Sequence, residues 1–240
     1  MVWTRPTSVP LPTIWHEFQA PDVGNTDNLV SYRVQDLTPD RYEDMVRHFL
    51  NHYLGEEPEC VSKGISTDAL ARQEMTQYWR RCFSRNLTLV CYKEESRQIV
   101  GGNILDVRTV QREADVMKVE SEKLNGIFIS NEFLTDTVDL FGRYGVQEYL
   151  TDYGMAVHRE YRGKGICREM LRARIPLCKT FGLRLTSTNF TNLGAQAVAA
   201  KLGYRCDLEM SYDELAKRGP LFSYPGISAK STKVMSLVID

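Results

Sequence analysis

Residues 157–167 read Val-His-Arg-Glu-Tyr-Arg-Gly-Lys-Gly-Ile-Cys, and this stretch decides the fold of the chain. The residues before it, 149–157, have the pattern of a strand, and those from 165 to 180 have the apolar spacing of a helix. A glycine turn therefore leads from a strand into a helix N-terminus, where free backbone N–H groups and the helix dipole favour an anion. The stretch predicts a binding site for a phosphate-bearing ligand.

The side chains of the turn agree with that prediction. Gly163 and Gly165 lack a Cβ, so the backbone can come close to a pyrophosphate. Arg162 and Lys164 add positive charge at the same place. For an isolated Arg-Gly-Lys-Gly sequence, an ordinary surface turn that opens an amphipathic helix is the better explanation. The elements that follow the turn decide between the two interpretations.

A strand over 183–188 and a short helix over 192–204, which ends in Leu-Gly-Tyr, follow the long helix. This order resembles the acetyl-CoA-binding core of the GNAT superfamily of N-acetyltransferases. The family motif is Gln/Arg-x-x-Gly-x-Gly/Ala, and Arg162-Gly-Lys-Gly165-Ile-Cys167 matches it except at the last position. Cys167 is small enough to keep the helix close to the cofactor.

Two further segments are similar to insect-type arylalkylamine N-acetyltransferases. They are 138–150, immediately before the cofactor strand, and 49–58, which ends in Glu56-Glu57-Pro58. The likeness covers about residues 30–240. It implies a mixed α/β (α+β) GNAT fold, with a central, mostly antiparallel sheet that splays around the cofactor and helices on both faces. It also implies direct acetyl transfer from acetyl-CoA to an amine, without a covalent enzyme intermediate.

The resemblance assigns the cofactor contacts to one strand and one loop. Met155, or its neighbour, is expected to present the backbone N–H that stabilises the oxyanion of the thioester carbonyl. Gly154 before it fits a β-bulge, although a glycine chosen only for close packing explains it as well. The backbone of Met155, Ala156 and Val157 is expected to pair with the pantetheine arm like another strand. The pyrophosphate is assigned to the turn, whose members are Arg162, Gly163, Lys164, Gly165, Ile166 and Cys167.

Amine acetylation needs a base, because a primary amine with a reference pKa near ~10 is an ammonium ion at neutral pH. The family resemblance implies Glu57 as that general base. Pro58 restrains Glu57 to extended conformations. Glu56 is the alternative, and an ordinary exposed carboxylate in a helix-terminal loop is the simpler explanation for either residue. His158, at the strand exit, is expected to face solvent rather than act as a base.

The leaving thiolate accepts a proton in many GNAT members from a tyrosine seven residues after the motif asparagine. Here that position is Ala199, so the usual acid is missing. Thr191, Ser187 or water can take its place, or the thiolate can leave unassisted. Asn192 matches the asparagine that contacts the cofactor in relatives, and it is also a suitable helix N-cap.

Composition fits an enzyme with a full core: 240 residues, 42% hydrophobic, with a formal net charge of −1. That balance gives no global field that attracts nucleic acid or an anionic membrane. The six cysteines contain no Cys-x-x-Cys pair and the four histidines form no zinc pattern, so we expect no metal and reduced thiols. No run of 18 apolar residues and no signal-peptide core are present, which predicts a cytoplasmic protein.

Two units are expected along the chain, an N-terminal arm over 1–28 and a single acetyltransferase domain over 29–240. The arm is proline-rich and aromatic, so we expect it to lie on the body without forming a helix. Further predicted elements are a strand at 29–35, helices at 38–55 and from 66 onward, a hairpin at 87–108, helical segments at 111–123 and 131–144, and strands at 204–212 and 233–239.

The predicted activity is acetyl-CoA-dependent acetylation of a small primary amine, with an aromatic or aliphatic tail, by a monomer. Acetylation of a polyamine or of a peptide N-terminus is the alternative within enzymes. A CoA-binding protein without catalysis is the alternative of another class, which the missing tyrosine at Ala199 and the departure at Cys167 keep open.

Overall fold

The structure is a computed structural model that describes residues 3–25, 27–111 and 118–240. Eight strands of these residues form one sheet, in the spatial order β1-β2-β3-β4-β5-β6-β8-β7. Neighbouring strands are antiparallel except β5 and β6, which are parallel. The strands are β1 (Ile14–Pro21), β2 (Leu29–Asp36), β3 (Leu89–Lys93), β4 (Gln98–Thr109), β5 (Glu148–Val157), β6 (Leu185–Phe190), β7 (Arg205–Ser211) and β8 (Ser231–Val238).

Helices cover both faces of the sheet, because successive strand residues point to opposite sides and both sides are apolar. Val90 and Ile104 pack with the helices of one face, whereas their neighbours Cys91 and Leu105 pack against the long helix α6 on the other. The helices are α1 (Tyr42–His52), α2 (Pro58–Lys63), α3 (Ala69–Phe83), α4 (Glu122–Val138), α5 (Leu140–Tyr144), α6 (Ile166–Phe181), α7 (Leu193–Lys201) and α8 (Tyr212–Ala216).

The sheet splits between its two parallel strands. β5 and β6 share a single registered pair, Leu150 with Thr186, and β5 has no registered partner on that side beyond it. A bulge lies on the other side of β5, because Asn103 pairs with Met155 but Leu105 pairs with Asp152, so Ile104 faces two residues. The split leaves an open edge of β5 in the middle of the sheet.

The glycine of this bulge cannot be replaced without strain. Gly154 has φ +146°, and a Cβ on it would lie 3.2 Å from the Tyr53 ring and 3.3 Å from the Phe49 ring. Both the backbone conformation and the close packing therefore require glycine. The expected bulge at Gly154 is confirmed.

The expected mixed α/β fold, with helices on both faces and a splayed, mostly antiparallel sheet, is confirmed. One difference lies in the N-terminal arm, where residues 14–21 form the edge strand β1 that the sequence analysis did not predict. Prolines at 10, 12 and 21 bracket this strand without interrupting its pairing with β2. Most of the predicted helical segment at 111–123 lies outside the described residues, and α4 begins at Glu122.

Candidate active site

The loop between β5 and α6 has the geometry of an anion site. After a single 3₁₀ turn at 159–161, Gly163 (φ +74°) and Gly165 (φ +85°) bring the chain into α6. Gly165 is the N-cap of this 16-residue helix, and no side chain caps its first N–H groups. These amides and the helix dipole remain available to a negatively charged ligand.

The open edge of β5 presents backbone groups beside that loop. The His158 N–H donates to the Val100 carbonyl across the β4–β5 ladder (2.8 Å). Ladder bonds alternate along an antiparallel strand, so Ala156 is the next residue bonded to β4. The backbone groups of Met155 and Val157 consequently face the split. An extended ligand lying in the split can pair with them as a strand would.

The three arginine and lysine side chains of the loop have protein partners. Arg162 Nε donates to the Val157 carbonyl (3.1 Å), and its Nη1 contacts the Glu56 carboxylate. Arg159 Nε also donates to Glu56 (2.9 Å). Burial raises the pKa of Glu56, but the hydrogen bonds from the two arginines outweigh it and lower the pKa overall. Lys164 Nζ donates to the Asp22 carbonyl (2.8 Å), on the far side of the loop.

The remaining loop residues differ in what they can offer a ligand. The Ile166 side chain is buried in the core, so only its backbone is available at the loop. Cys167 is half-buried and lines the cavity described below. Burial raises the pKa of the Cys167 thiol to about 11, so it is a neutral thiol at physiological pH.

Glu57 and Thr191, which the sequence analysis selected separately, are in direct contact. Glu57 is the N-cap of α2, where its Oε2 accepts a hydrogen bond from the Cys60 N–H (2.7 Å). The Thr191 hydroxyl donates to Glu57 Oε1 (2.7 Å). Pro58 at the first position of α2 sets the turn that aims Glu57. The Glu57 carboxylate is thereby fixed in direction by two donors.

A second carboxyl group, Glu59, was missed by the sequence analysis. It is 1% exposed, and it accepts hydrogen bonds from Asn131 Nδ2 (3.1 Å) and the Tyr212 hydroxyl (3.1 Å). Burial, and next the negative charge of Glu57, raise the pKa of Glu59 to about 8. Its partners lie 72 and 153 positions away in the chain, so no local pattern announces them.

The structure assigns Asn192 a definite role at the start of α7. Its Oδ1 accepts from the N–H groups of Gly194 (2.8 Å) and Ala195 (3.3 Å), which makes it the N-cap. It also lines the cavity, so its expected contact with a cofactor stays a prediction. Ala199 is fully buried and packs with Phe190 and Tyr204, so its methyl group belongs to the core and not to the site.

One cavity of about 1100 Å³ joins the loop, the open edge of β5 and the Glu57–Thr191 pair. An aromatic wall extends it beyond Glu57, with ring centroids 5.0 Å apart for Tyr78–Phe128 and 5.4 Å apart for Tyr78–Tyr153. Tyr53 completes this wall beside Glu57. The wall comes from α1, α3, α4 and β5, which explains why no single sequence segment revealed it.

His158 does not lie free in solvent as expected. It is half-buried, and the centroid of its ring lies 4.2 Å from that of His52. The ring centroids of His52 and His48 are 5.0 Å apart. Burial lowers the pKa of His48 to about 4 and also lowers that of His52. Among the described residues no group of three or more histidine, cysteine or carboxylate side chains is arranged to hold a metal ion. No helix of the described chain is long and apolar enough to cross a membrane.

Comparisons with known proteins identify a family of similar chains. The model of the acetyltransferase (GNAT) family matches residues 70–204. The crystal structure of a putative arylalkylamine N-acetyltransferase 7 from the mosquito Aedes aegypti is 40% identical, with 99% of this chain and 100% of that chain covered and a TM-score of 0.95. No match is found among curated proteins.

Two more distant structures share the fold. Arylalkylamine N-acetyltransferase 2 from Aedes aegypti is 18% identical, with 87% of this chain and 99% of that chain covered and a TM-score of 0.78. A polyamine N-acetyltransferase from Drosophila melanogaster, which forms N-acetylagmatine, is 17% identical, with 87% and 100% covered and a TM-score of 0.69.

Proposed function

Since the chain belongs to the GNAT family of acetyltransferases, with its likeness to the insect arylalkylamine type, we propose that it transfers the acetyl group of acetyl-CoA to a small primary amine. The observation that carries the proposal is the single cavity in which an anion-binding loop, an open strand edge and a fixed carboxylate meet. Each of these three parts serves one requirement of the reaction.

Acetyl-CoA fits the loop and the split. The amides at the start of α6, from Gly163 to Cys167, suit the pyrophosphate, with Arg162 nearby to add charge. The pantetheine arm then runs along the open edge of β5 and pairs with Met155 and Val157, on either side of Ala156. In that position the Met155 N–H faces the thioester carbonyl and stabilises the oxyanion that forms during transfer.

Glu57 serves as the base. Its carboxylate lies in the same cavity and attracts the ammonium form of the amine, then removes a proton directly or through one water molecule. The neutral amine attacks the acetyl carbon, the C–S bond breaks, and the CoA thiolate leaves. Both donors to Glu57, the Cys60 N–H and the Thr191 hydroxyl, hold its carboxylate in a fixed orientation for this role.

Thr191 connects the base to the leaving group. Once Glu57 carries the amine proton, it can return that proton to the Thr191 hydroxyl, which passes its own proton to the thiolate sulfur. This relay replaces the tyrosine that is missing at Ala199. The nitrogen loses two protons over one cycle: the first passes from Glu57 to solvent before attack, and the second, which Glu57 takes from the nitrogen of the tetrahedral adduct, follows this relay to sulfur. The cycle ends with Glu57 ionised again, the N-acetylated amine, CoA thiol and one proton released to solvent.

The aromatic wall favours an amine with an aromatic or aliphatic tail. Tyr53, Tyr78, Phe128 and Tyr153 offer ring faces and edges that suit an aryl group. A polyamine is the second candidate, because the cavity is also lined by the carboxylates of Asp106, Glu132 and Asp136. Arg108 lines the same region and pairs with Glu132, which reduces the negative charge available to a polyamine. Because Arg108 offsets part of this negative charge, we favour an amine with an uncharged tail over a polyamine as the substrate.

The test measures CoA thiol release from acetyl-CoA over a panel of arylalkylamines, aliphatic monoamines, polyamines and short peptides. Glu57→Gln keeps one oxygen for the Cys60 N–H but removes the base, so kcat/KM should fall by about 10²–10³. The deficit should shrink as the pH approaches the pKa of the amine, near ~10. The affinity for acetyl-CoA, measured by calorimetry, should barely change.

Glu95→Gln, in the exposed β3–β4 turn, is the control for loss of one negative charge. Glu56 is unsuitable as a control because it pairs with Arg159 and Arg162 of the cofactor loop. Equal activity of the Glu57 and Glu95 variants would disprove the role of Glu57. Release of the CoA thiol with peptides alone would overturn the small-amine assignment. If the protein bound acetyl-CoA but released no thiol with any acceptor, it would be a CoA-binding protein without this activity.

A further inference from the structure

The peptide unit between Gly154 and Met155 is held on its carbonyl side by a buried side chain. The Asn103 amide Nδ2 donates to the Gly154 carbonyl (3.0 Å) from the neighbouring strand β4. Asn103 is 0% exposed and stands opposite Met155 in the β4–β5 register. The Gly154–Met155 peptide is trans, because among the described residues the cis bond is Leu11–Pro12.

The direction of the Met155 N–H follows from this contact. In a trans peptide the C=O and the following N–H lie in one plane and point in opposite directions. When Asn103 fixes the Gly154 carbonyl toward β4, the Met155 N–H must point away from β4, into the split. The ladder alternation gives the same direction independently. Two separate arguments therefore agree on where this donor points.

The orientation of the Asn103 amide is itself fixed. Its Oδ1 accepts from Arg174 Nε (3.0 Å), and because an arginine only donates, the Nδ2 group of Asn103 must be the one that faces Gly154. Arg174 is 0% exposed. Its other nitrogens donate to Thr188 Oγ1 (2.8 Å) and contact the Asp152 carboxylate.

Asp152 connects Arg174 to the β-bulge at Gly154. Its Oδ1 accepts from the Gly154 N–H (3.2 Å), while its Oδ2 faces Arg174 and Thr188. Asp152 and Thr188 each lie two residues beyond the last paired residues of the parallel strands, Leu150 and Thr186. The guanidinium of Arg174 therefore bridges the side chains of β5 and β6 where their backbone pairing has ended.

We propose that Asn103 is a positioning residue for catalysis: its side-chain amide, oriented by Arg174, aims the Met155 N–H at the thioester carbonyl of acetyl-CoA. The proposal rests on the proposed function, in which that N–H is the oxyanion donor. Asn103 touches neither cofactor nor amine in this role. It acts through the peptide plane, while Arg174 orients the Asn103 amide and Asp152 holds the Gly154 N–H.

The test is isotope-edited infrared spectroscopy of [1-¹³C]acetyl-CoA bound to the protein, which needs no amine. In the wild-type protein the hydrogen bond from the Met155 N–H should lower the carbonyl stretching frequency relative to free acetyl-CoA. Asn103→Asp keeps an oxygen for Arg174 but replaces the donor to Gly154 with a second acceptor. The frequency shift should be largely lost, with acetyl-CoA affinity within about threefold of wild type, since one hydrogen bond is at issue.

Kinetics give a second readout. Loss of an oxyanion donor lowers kcat by about 10²–10³, and a misaimed donor should cost about ten- to a hundredfold. The loss should be the same at every pH, unlike the deficit of Glu57→Gln. Asn103→Ser, too short to reach both partners, should behave similarly if the aspartate variant does not fold. Asn51→Asp, on the exposed side of α1, controls for the added charge.

Folded Asn103 variants that keep both the infrared shift and kcat would overturn the proposal, as would a wild-type protein that binds acetyl-CoA without a shift. A shift present in wild type and absent in the Asn103 variants supports it even if no amine is acetylated. In that last case the proposed function would fail and the positioning role would stand.

Discussion

The two sides of the cavity, which we propose bind the cofactor and the amine, are built by different means. The cofactor side consists mainly of backbone groups from one continuous stretch, the end of β5 and the loop into α6. The amine side consists of side chains from distant segments, such as Glu57 with Thr191, 134 positions apart, and Glu59 with Tyr212. Backbone sites depend on conformation and tolerate most side-chain changes, whereas side-chain sites depend on a few individual atoms. The two sides should respond differently to substitution.

Among the effects on binding and stability, the largest is expected where the backbone conformation itself is broken. Gly165→Val places a β-branched residue at φ +85°, a conformation that costs roughly 1–2 kcal/mol for a residue with a Cβ. Its Cβ would also lie 3.3 Å from the Arg168 guanidinium. The first amides of α6 should move off the pyrophosphate, and calorimetry should show acetyl-CoA binding weakened by about ten- to thirtyfold.

Gly182→Val is the matched control, because Gly182 ends the same helix at φ +70° with open space around its Cβ position. It introduces the same kind of strain at the opposite end of α6, away from the loop. Its acetyl-CoA affinity should equal that of wild type although its stability falls. If both valine variants bind acetyl-CoA equally well, the backbone of the loop is not the phosphate site.

An effect of intermediate size is expected from the amine side, in the pH dependence of stability. Burial raises the pKa of Glu59 from 4.5 to about 8, so the folded protein binds this proton more tightly than the unfolded chain. The stability that it contributes is present at low pH and is lost as the pH rises through about 8. The free energy of unfolding should fall by at most about 1.4 kcal/mol per pH unit.

Urea unfolding between pH 6.5 and 8.5 measures this slope. Below that range His48 and His52, whose pKa values burial lowers, add a slope of opposite sign, because the unfolded chain then binds the extra protons. Glu59→Gln mimics the protonated acid and should flatten the curve, whereas Glu95→Gln should leave it unchanged. A wild-type curve that is already flat in this window would mean that Glu59 is ionised in the folded protein.

The contrast between local backbone groups and distant side chains also explains which features could be predicted from the sequence. The order of elements from β5 to α7, the bulge at Gly154 and the turn at 163–165 are local patterns. The observed elements begin and end within three residues of the expected ones. Glu57 was selected from a family resemblance and Thr191 as one possible substitute for the missing tyrosine, but nothing local to either of them shows that they touch. Glu59, the aromatic wall and Asn103 were missed because their roles arise only when distant segments pack together.

The edge strand β1 was missed for a different reason. Its prolines suggested an irregular arm, and an edge strand tolerates proline where a central strand does not. Arg5 further ties the residues before β1 to the body by donating to Asp36 (2.7 Å) and to the Asn86 carbonyl (2.8 Å). The arm is thus held by specific long-range contacts, which composition alone does not encode.

The smallest effect is expected at Glu56, where the two sides of the cavity meet. Glu56 precedes the proposed base, yet its carboxylate contacts Arg159 and Arg162 of the cofactor loop. In the proposed binding mode the pyrophosphate of acetyl-CoA lies beside Arg162, so Glu56 would compete with the cofactor for that side chain. Glu56→Gln removes this competing charge and should tighten acetyl-CoA binding about threefold, in keeping with the small free energies of exposed ion pairs.

This change should depend on salt, because exposed charges are screened with a Debye length of about 10 Å at 0.1 M. Calorimetry at low and high ionic strength should therefore show the gain shrinking as salt rises. The amine dependence of kcat should match that of wild type, since Glu57 keeps both of its donors. Weaker acetyl-CoA binding by Glu56→Gln would instead show that Glu56 holds Arg162 in its binding position, so that the carboxylate assists the cofactor rather than opposing it.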